Sequence, residues 1–386
     1  MKNLSKISIP LQNWVIMAVV AGLCLVSGYS FKWMHKPDYI WTGNPALSEI
    51  RMLSDYVPSL HGTPQDTPIY VFKGRRPGGS MLVLGGTHAN EFAGILNAVL
   101  LVENVKVEEG TLYVIPHVNA SGITHTEPFY GMMDRAVFDM PDGSKRTFRI
   151  GTRLSNPVHQ WPDLNFYSGR SGRVLIKDEV PEIRNMNRNY PGNPSGTLLE
   201  KANYAVQQLI VKEGIDLLYD AHEAGPLFNY IDYLIVHERA FPIGSFAVIN
   251  AQFEGVDARM ERSGLNSYGL THRALGDNTD VFATLYETIN LAQGSHTGKV
   301  TKEMTLYGFD ANSIKLTEWG LMTSAEITSA GYSIDRRVAS HMVMVLSLAE
   351  AMTLLEPDKP LILSGMPSFD EFLDRGLENL LFKPVR

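Results

Sequence analysis

His88 and Glu91 stand three residues apart in the stretch Gly85-Gly86-Thr87-His88-Ala89-Asn90-Glu91, directly after the apolar run Met81 to Leu84. If a helix begins here, that spacing puts an imidazole and a carboxylate on one face of a turn, where both reach a single ion. The two glycines let the backbone approach closely. The same residues also read as an ordinary helix start, with Asn90 as the cap and Glu91 complementing the dipole. A second stretch, Asp220-Ala221-His222-Glu223, closes the apolar run Ile215 to Tyr219. In a strand Asp220 and His222 share a face. A carboxylate beside an imidazole can fix its tautomer and raise its basicity. Ordinary charges at a surface strand end are the other reading, and the apolar run before them argues against it.

Two more stretches carry reactive side chains. Glu326 sits in the apolar run Met322 to Ile327. Desolvation there would raise its pKa, which suits a general base that takes a proton from zinc-bound water and returns it to a leaving amine. A structural ion pair with Arg336 or Arg337 is the alternative. The run Arg184-Asn185-Met186-Asn187-Arg188-Asn189-Tyr190-Pro191-Gly192 is densely polar. Its arginines offer a planar fork that matches a carboxylate or a developing oxyanion, and the asparagines beside them add uncharged donors. A solvated loop is the plain alternative, the common fate of Asn and Arg near Pro-Gly.

These residues need a scaffold that presents strand ends. Met81 to Leu84, Thr111 to Ile115 and Ile215 to Ala221 read as buried strands, and Met322 to Ile327 as a fourth. Glu91 to Val105, Leu198 to Val211 and Ile334 to Leu355 read as helices. Leu234 to Val236 and Phe246 to Ile249 are short apolar runs of undecided type. Residues 117–196 show little periodicity, and the last thirty read mostly as loop. Strands alternating with helices predict an α/β fold, a central mixed and largely parallel sheet with helices on both faces. Ligands then belong at the carboxyl ends of strands.

Composition narrows the function. The 386 residues carry a net charge of -7 and no long run of like charge, which excludes nucleic acid as the main partner. The one cysteine, Cys24, lies in the most apolar stretch, so a disulfide within the chain and cysteine catalysis are both excluded. No Gly-x-Ser-x-Gly elbow supports a serine esterase. Lys2 and Lys6 precede a charge-free stretch from Ile7 to Phe31, and Lys32 and Lys36 follow it. Residues 1–36 are therefore expected to be a signal peptide or membrane anchor, with a buried N-terminal helix as the alternative. Residues 37–68, with five prolines, read as a linker and approach loop, and 69–386 as the catalytic domain.

Taken in order, the four stretches resemble the zinc carboxypeptidase superfamily, and more narrowly its succinylglutamate desuccinylase/aspartoacylase branch. The family's His-x-x-Glu is matched by His88 and Glu91, its Asn-Arg-x-(aromatic)-Pro-Gly segment by Asn187 to Gly192, and its Asp-x-His by Asp220 and His222. Its late glutamate resembles Glu326, and a strand-end Pro-x-x-Asn-x-x-Gly is echoed by Pro116, Asn119 and Gly122. The resemblance implies one Zn²⁺ per chain on His88, Glu91 and His222, with water as fourth ligand, and Glu326 as the base. It further implies that Arg188 and Asn187 hold a carboxylate or polarise a carbonyl. The expected activity is hydrolysis of an amide bond in a small acyl-amino-acid or peptide substrate, outside the cytoplasm. The alternative is a membrane-tethered, inactive carboxylate- or peptide-binding domain on the same fold. Two departures from the branch stand out. Only sixty residues follow Glu326, where the desuccinylases carry a β-domain, and the span from Glu91 to His222 is long. Arg170, Arg173 and Arg184 are candidates for further oxyanion support, and Tyr307 for a substrate-facing tyrosine.

Overall fold

The computed structural model describes residues 10–34, 36–126, 132–160, 166–168, 174–176, 183–294, 299–322 and 327–384. Contacts divide the chain into residues 1–38 and residues 39–386. The first unit holds α1 (Leu11–Met34), whose segment Leu11–Lys32 has a mean hydropathy of 2.0 over 22 residues. That is long and apolar enough to cross a bilayer, a property that a signal sequence shares.

The second unit is built on a nine-stranded sheet. Its strands are β1 (Glu49–Met52), β2 (Pro68–Lys73), β3 (Arg76–Leu84), β4 (Lys106–Ile115), β9 (Leu217–Ala224), β10 (Tyr233–Val236), β11 (Arg259–Arg262), β12 (Phe282–Ile289) and β13 (Ile362–Ser364). Two small hairpins lie outside it, β5 (Arg135–Asp139) with β6 (Lys145–Arg149) and β7 (Phe166–Ser168) with β8 (Val174–Ile176). The sheet order is β1-β2-β4-β3-β9-β12-β10-β11, with β13 on the first half of β4. The four central strands β4, β3, β9 and β12 run parallel. Strands β1, β2 and β13 pair antiparallel with their neighbours, and β10 pairs antiparallel with β12 but parallel with β11. The mixed, largely parallel sheet expected from sequence is therefore present.

Side-chain alternation sorts the core into two layers. Met81 and Val83 of β3 join Tyr219 of β9 on one face, and Leu82 and Leu84 join Leu218 on the other. The first face is covered by α2 (Phe92–Asn104), α4 (Phe241–Phe253), α7 (Ile334–Leu355) and α8 (Phe369–Arg375). The second is covered by α3 (Leu198–Glu213) and α5 (Thr271–Asn278). Helix α6 (Ala311–Glu318) packs with a third, smaller apolar cluster. Although α7 is as apolar as a membrane span, 72% of it is buried, which makes it the sheet's central cover. Gly94 lets α2 sit tightly on β9, because a Cβ there would meet Ala221 O at 2.7 Å and Ala221 Cβ at 2.8 Å.

Several local expectations are corrected. The proline-rich stretch before residue 68 contains the edge strand β1, and Phe246 to Ile249 belong to α4. The C-terminal residues read as loop include β13 and α8. Strand β12 was not anticipated at all. Its pattern Phe-Ala-Thr-Leu-Tyr-Glu-Thr-Ile mixes polar and apolar residues on both faces, because one end lines a site rather than the core. The strand expected over Met322 to Ile327 includes residues 323–326, which lie outside the described residues.

Candidate metal centre and active site

The carboxyl ends of β3 and β9, neighbours in the sheet, deliver three potential ligands to one point. After β3, Gly86 adopts φ +70° and the chain turns through His88 to Glu91, which stands at the N-cap of α2. The turn is closed by Glu91 N donating to His88 O at 3.1 Å. His88 thus precedes the helix, and a turn rather than a helical face brings it beside Glu91. Glu91 makes no capping bond with its side chain, and its carboxylate faces two imidazoles instead. Glu91 Oε1 lies 2.6 Å from His88 Nδ1, and Oε2 lies 2.7 Å from His222 Nδ1. All three residues are buried, and their ligand atoms lie within 4.8 Å of one another.

The other ring nitrogens decide what this cluster can hold. His88 Nε2 lies 2.9 Å from Asn185 Oδ1, which also accepts from Asn187 N at 2.9 Å and is therefore the oxygen. His222 Nε2 lies 2.9 Å from Asp220 Oδ2. Oxygens of this kind only accept, so each Nε2 carries a proton and each Nδ1 is aimed at Glu91, offering a lone pair there whenever the ring is neutral. Burial, helped by Arg153, holds the His88 imidazole at about 4. A neutral His88 has one proton and two acceptors facing it. His222 Nδ1 is buried with no hydrogen bond among the described residues. A cation between the two lone pairs and the carboxylate satisfies every atom. Two imidazoles and a carboxylate are also the donor set of open catalytic zinc sites, so these residues fit Zn²⁺.

Charges reinforce the arrangement. Burial alone would raise the Glu91 carboxyl, but the two histidines hold it well below its ordinary range. For His222, burial opposes the charged form while Asp220 and Glu91 together hold the imidazole well above its usual value, so a cation bound beside Nδ1 would displace a proton from it. The two imidazoles shift in opposite directions because His222 faces two carboxylates, whereas His88 faces one and a guanidinium.

A second layer of contacts fixes the ligands. Asp220 accepts from Thr87 Oγ1 at 2.7 Å and from Thr271 Oγ1 at 2.5 Å. Asn187 Oδ1 accepts from Thr271 N at 2.8 Å. Beneath Glu91, Glu223 N donates to Oε2 at 3.0 Å, while the Glu223 side chain pairs with Arg337 of α7 at 2.5 Å. Burial pushes the Glu223 carboxyl upward against that guanidinium.

A cavity of about 190 Å³ opens beside the cluster. His88, Glu91, Arg153, Asn187 and Arg188 line it, and Phe228, Ile235, Leu270 and Leu285 form its apolar wall. Arg153 Nη1 reaches within 3.6 Å of Glu91 Oε1 and 3.4 Å of His88 Nδ1. Arg188 donates from Nη1 to Asn187 O at 2.7 Å. His272 also lines the cavity, bonds Ser263 Oγ through Nδ1 at 2.8 Å, and is held at about 3 by burial. Glu287 of β12 completes the lining. Its Oε2 is buried without a partner among the described residues, and burial pushes its carboxyl up to about 8 against the attraction of His222.

The structure therefore brings together His88, Glu91, His222, Asn187 and Arg188. Glu326 lies outside the described residues, as do Arg170 and Arg173. Arg184 donates to Ser155 O at 2.7 Å and does not line the cavity, nor does Tyr307, which is 54% exposed. Asn119 is fully buried and accepts from Gly122 N at 3.0 Å, so that echo of the family marks a turn. Sequence reasoning missed Arg153, Thr271 and Glu287. For Glu287 the signal was weak, because Thr284 and Thr288 interrupt the apolar residues around it.

No protein-family profile matches the chain, and no curated protein matches it. Solved structures do. The chain is similar to a metallo-carboxypeptidase from Burkholderia cenocepacia, with a TM-score of 0.46 and 11% identity over 84% of this chain and 68% of that one. It is similar to the ectoine utilization protein EutE (DoeB) from Ruegeria pomeroyi, with a TM-score of 0.36 and 20% identity over 61% and 56%. It is also similar to a succinylglutamate desuccinylase/aspartoacylase from Rhodobacter sphaeroides, with a TM-score of 0.36 and 18% identity over 69% and 64%. The chain spans less than two thirds of the length of the latter two.

Proposed function

We propose that the chain is a zinc-dependent hydrolase of an amide bond in a small acyl-amino-acid or peptide substrate. The observation that carries this reading is the pair of imidazoles whose Nε2 protons are committed to Asn185 and Asp220, leaving both Nδ1 atoms aimed at one carboxylate. Zn²⁺ bound there would act as a Lewis acid and lower the pKa of a water molecule. Arg153, at the cavity edge, is placed to polarise the scissile carbonyl. Arg188, oriented by Asn187, offers its fork to a substrate carboxylate.

Two carboxylates compete for the general base. The sequence pattern nominates Glu326, and the geometry nominates Glu287, which lines the cavity and has a buried oxygen without a partner among the described residues. The geometry favours Glu287. Its apolar surroundings suit a group that accepts a proton and then delivers it to the leaving nitrogen. Residues 1–36 are assigned to a membrane anchor or export signal, with the catalytic unit outside the cytoplasm. Protease digestion of intact cells tests that placement, since protection of residues 39–386 contradicts it.

The decisive experiment is metal analysis of the purified chain followed by hydrolysis assays across acyl amino acids and short peptides. About one zinc per chain and turnover are expected, both lost in His88→Ala and His222→Ala. Retained zinc in either variant would refute the ligand assignment. Zinc and ligand binding without turnover would favour the tethered binding domain.

A further inference from the structure

Strand register lays four side chains in a row that leaves the metal cluster. His222 of β9 is paired with Glu287 of β12, Glu287 with Tyr233 of β10, and Tyr233 with Arg259 of β11. Register partners share a face, and neighbouring strands lie about 4.8 Å apart. The segment between β9 and β10 adds two rings to this row. Phe228 lines the cavity, its ring centroid lies 5.6 Å from that of Tyr230, and Tyr230 lies 5.5 Å from Tyr233, all edge-to-face. Phe228 is 44% exposed and Tyr230 38%. Single exposed apolar residues need no explanation, but a contiguous set at a cavity mouth marks a binding surface.

We propose that Phe228, Tyr230 and Tyr233 form an extended subsite for the part of a peptide that projects beyond the cavity, and that they select apolar or aromatic residues there. The inference rests on the amide-hydrolase reading for its choice of a peptide. At about 190 Å³ the cavity is smaller than the roughly 300–1,000 Å³ that encloses a drug-sized ligand. Most of a longer substrate therefore lies outside, and the ring ladder begins where the cavity ends. Ring edges and faces attract apolar and aromatic groups, and the cation-attracting face of Tyr233 is already taken by Arg259, whose Cζ lies 5.9 Å from the ring centroid.

The test uses the full chain and two probes: acetyl-leucine, which the cavity can hold, and acetyl-Phe-Ala-Leu, which reaches past it. In Tyr230→Ala the Kd of the metal-free chain for acetyl-Phe-Ala-Leu rises about tenfold, the size of one lost aromatic contact. The ratio of KM for acetyl-Phe-Ala-Leu to KM for acetyl-leucine rises by the same factor in the zinc-loaded chain. Tyr230→Phe, which keeps the ring, behaves as wild type. Equal losses on both probes, no loss in Tyr230→Ala, or no measurable binding of acetyl-Phe-Ala-Leu by the wild-type chain would each overturn the subsite. Absence of turnover with both probes refutes the hydrolase instead, and leaves the binding comparison to judge the ladder.

Discussion

Glu287 and His222 are register partners on adjacent parallel strands, so a carboxylate with an oxygen unpartnered among the described residues lies one strand spacing from a proposed metal ligand. In Glu287→Gln the shape persists and the proton acceptor is lost. Turnover should fall by about two or more orders of magnitude while zinc content is unchanged. The parallel variant Glu326→Gln should fall much less. A wild-type rate in Glu287→Gln would return the role to Glu326.

Asp220 is the acceptor that orients His222, and it is itself held by Thr87 and Thr271. Removing such a partner typically weakens metal affinity about 10- to 100-fold. Asp220→Ala should show that loss in a chelator competition, with the fold intact by circular dichroism. Unaltered affinity would mean that the imidazole needs no such support.

Arg146 and Glu103 form a buried ion pair at 2.5 Å that also ties chain segments together. Arg146 donates to Tyr39 O and Phe382 O, and Glu103 accepts from Trp41 N and Phe382 N. Arg146→Met leaves a buried carboxylate without its counter-charge, which should cost about 3–5 kcal/mol. Denaturant unfolding of Arg146→Met and of the double variant with Glu103→Gln measures it. The double variant should recover part of the loss, and identical curves for both would contradict the pairing.

Asp232 adopts φ +58° between β9 and β10, and its carboxyl is pushed up to about 7 by burial, with Asp257 adding to the rise and Arg336 and Arg259 opposing it. The folded chain thus keeps a proton that the unfolded chain releases near pH 4, as an ordinary aspartate does at about that value. Where the folded state binds more protons, stability falls as pH rises. The decline should run from near pH 4 to about 7 and level off above. Asp232→Asn tolerates the backbone conformation and should flatten that part of the curve. An unchanged slope would assign it to other groups.

The sequence made the central strands legible because β3 and β9 are buried on both faces and read as unbroken apolar runs. It made His88, Glu91 and His222 legible because those runs end in residues with no place in a core. Glu287 stayed hidden because its strand is core at one end and cavity at the other, which blurs both periodicities. Arg153 lies in a stretch without period, and only folding brings it within 3.6 Å of Glu91. The edge strand β1, Glu-Ile-Arg-Met, is four residues long and partly exposed, too short for a pattern.

The close seating of α2 on β9 at Gly94 has a consequence for metal choice. Glu91 rides on the start of that helix and His222 on that strand, so the gap between two ligands is fixed by how nearly two backbones touch. A single added methyl would pry the elements apart and widen the bite of the chelate, with every donor atom still in place. On the proposed metal reading, selectivity among cations would be set in the hydrophobic interior, out of reach of solvent and substrate alike.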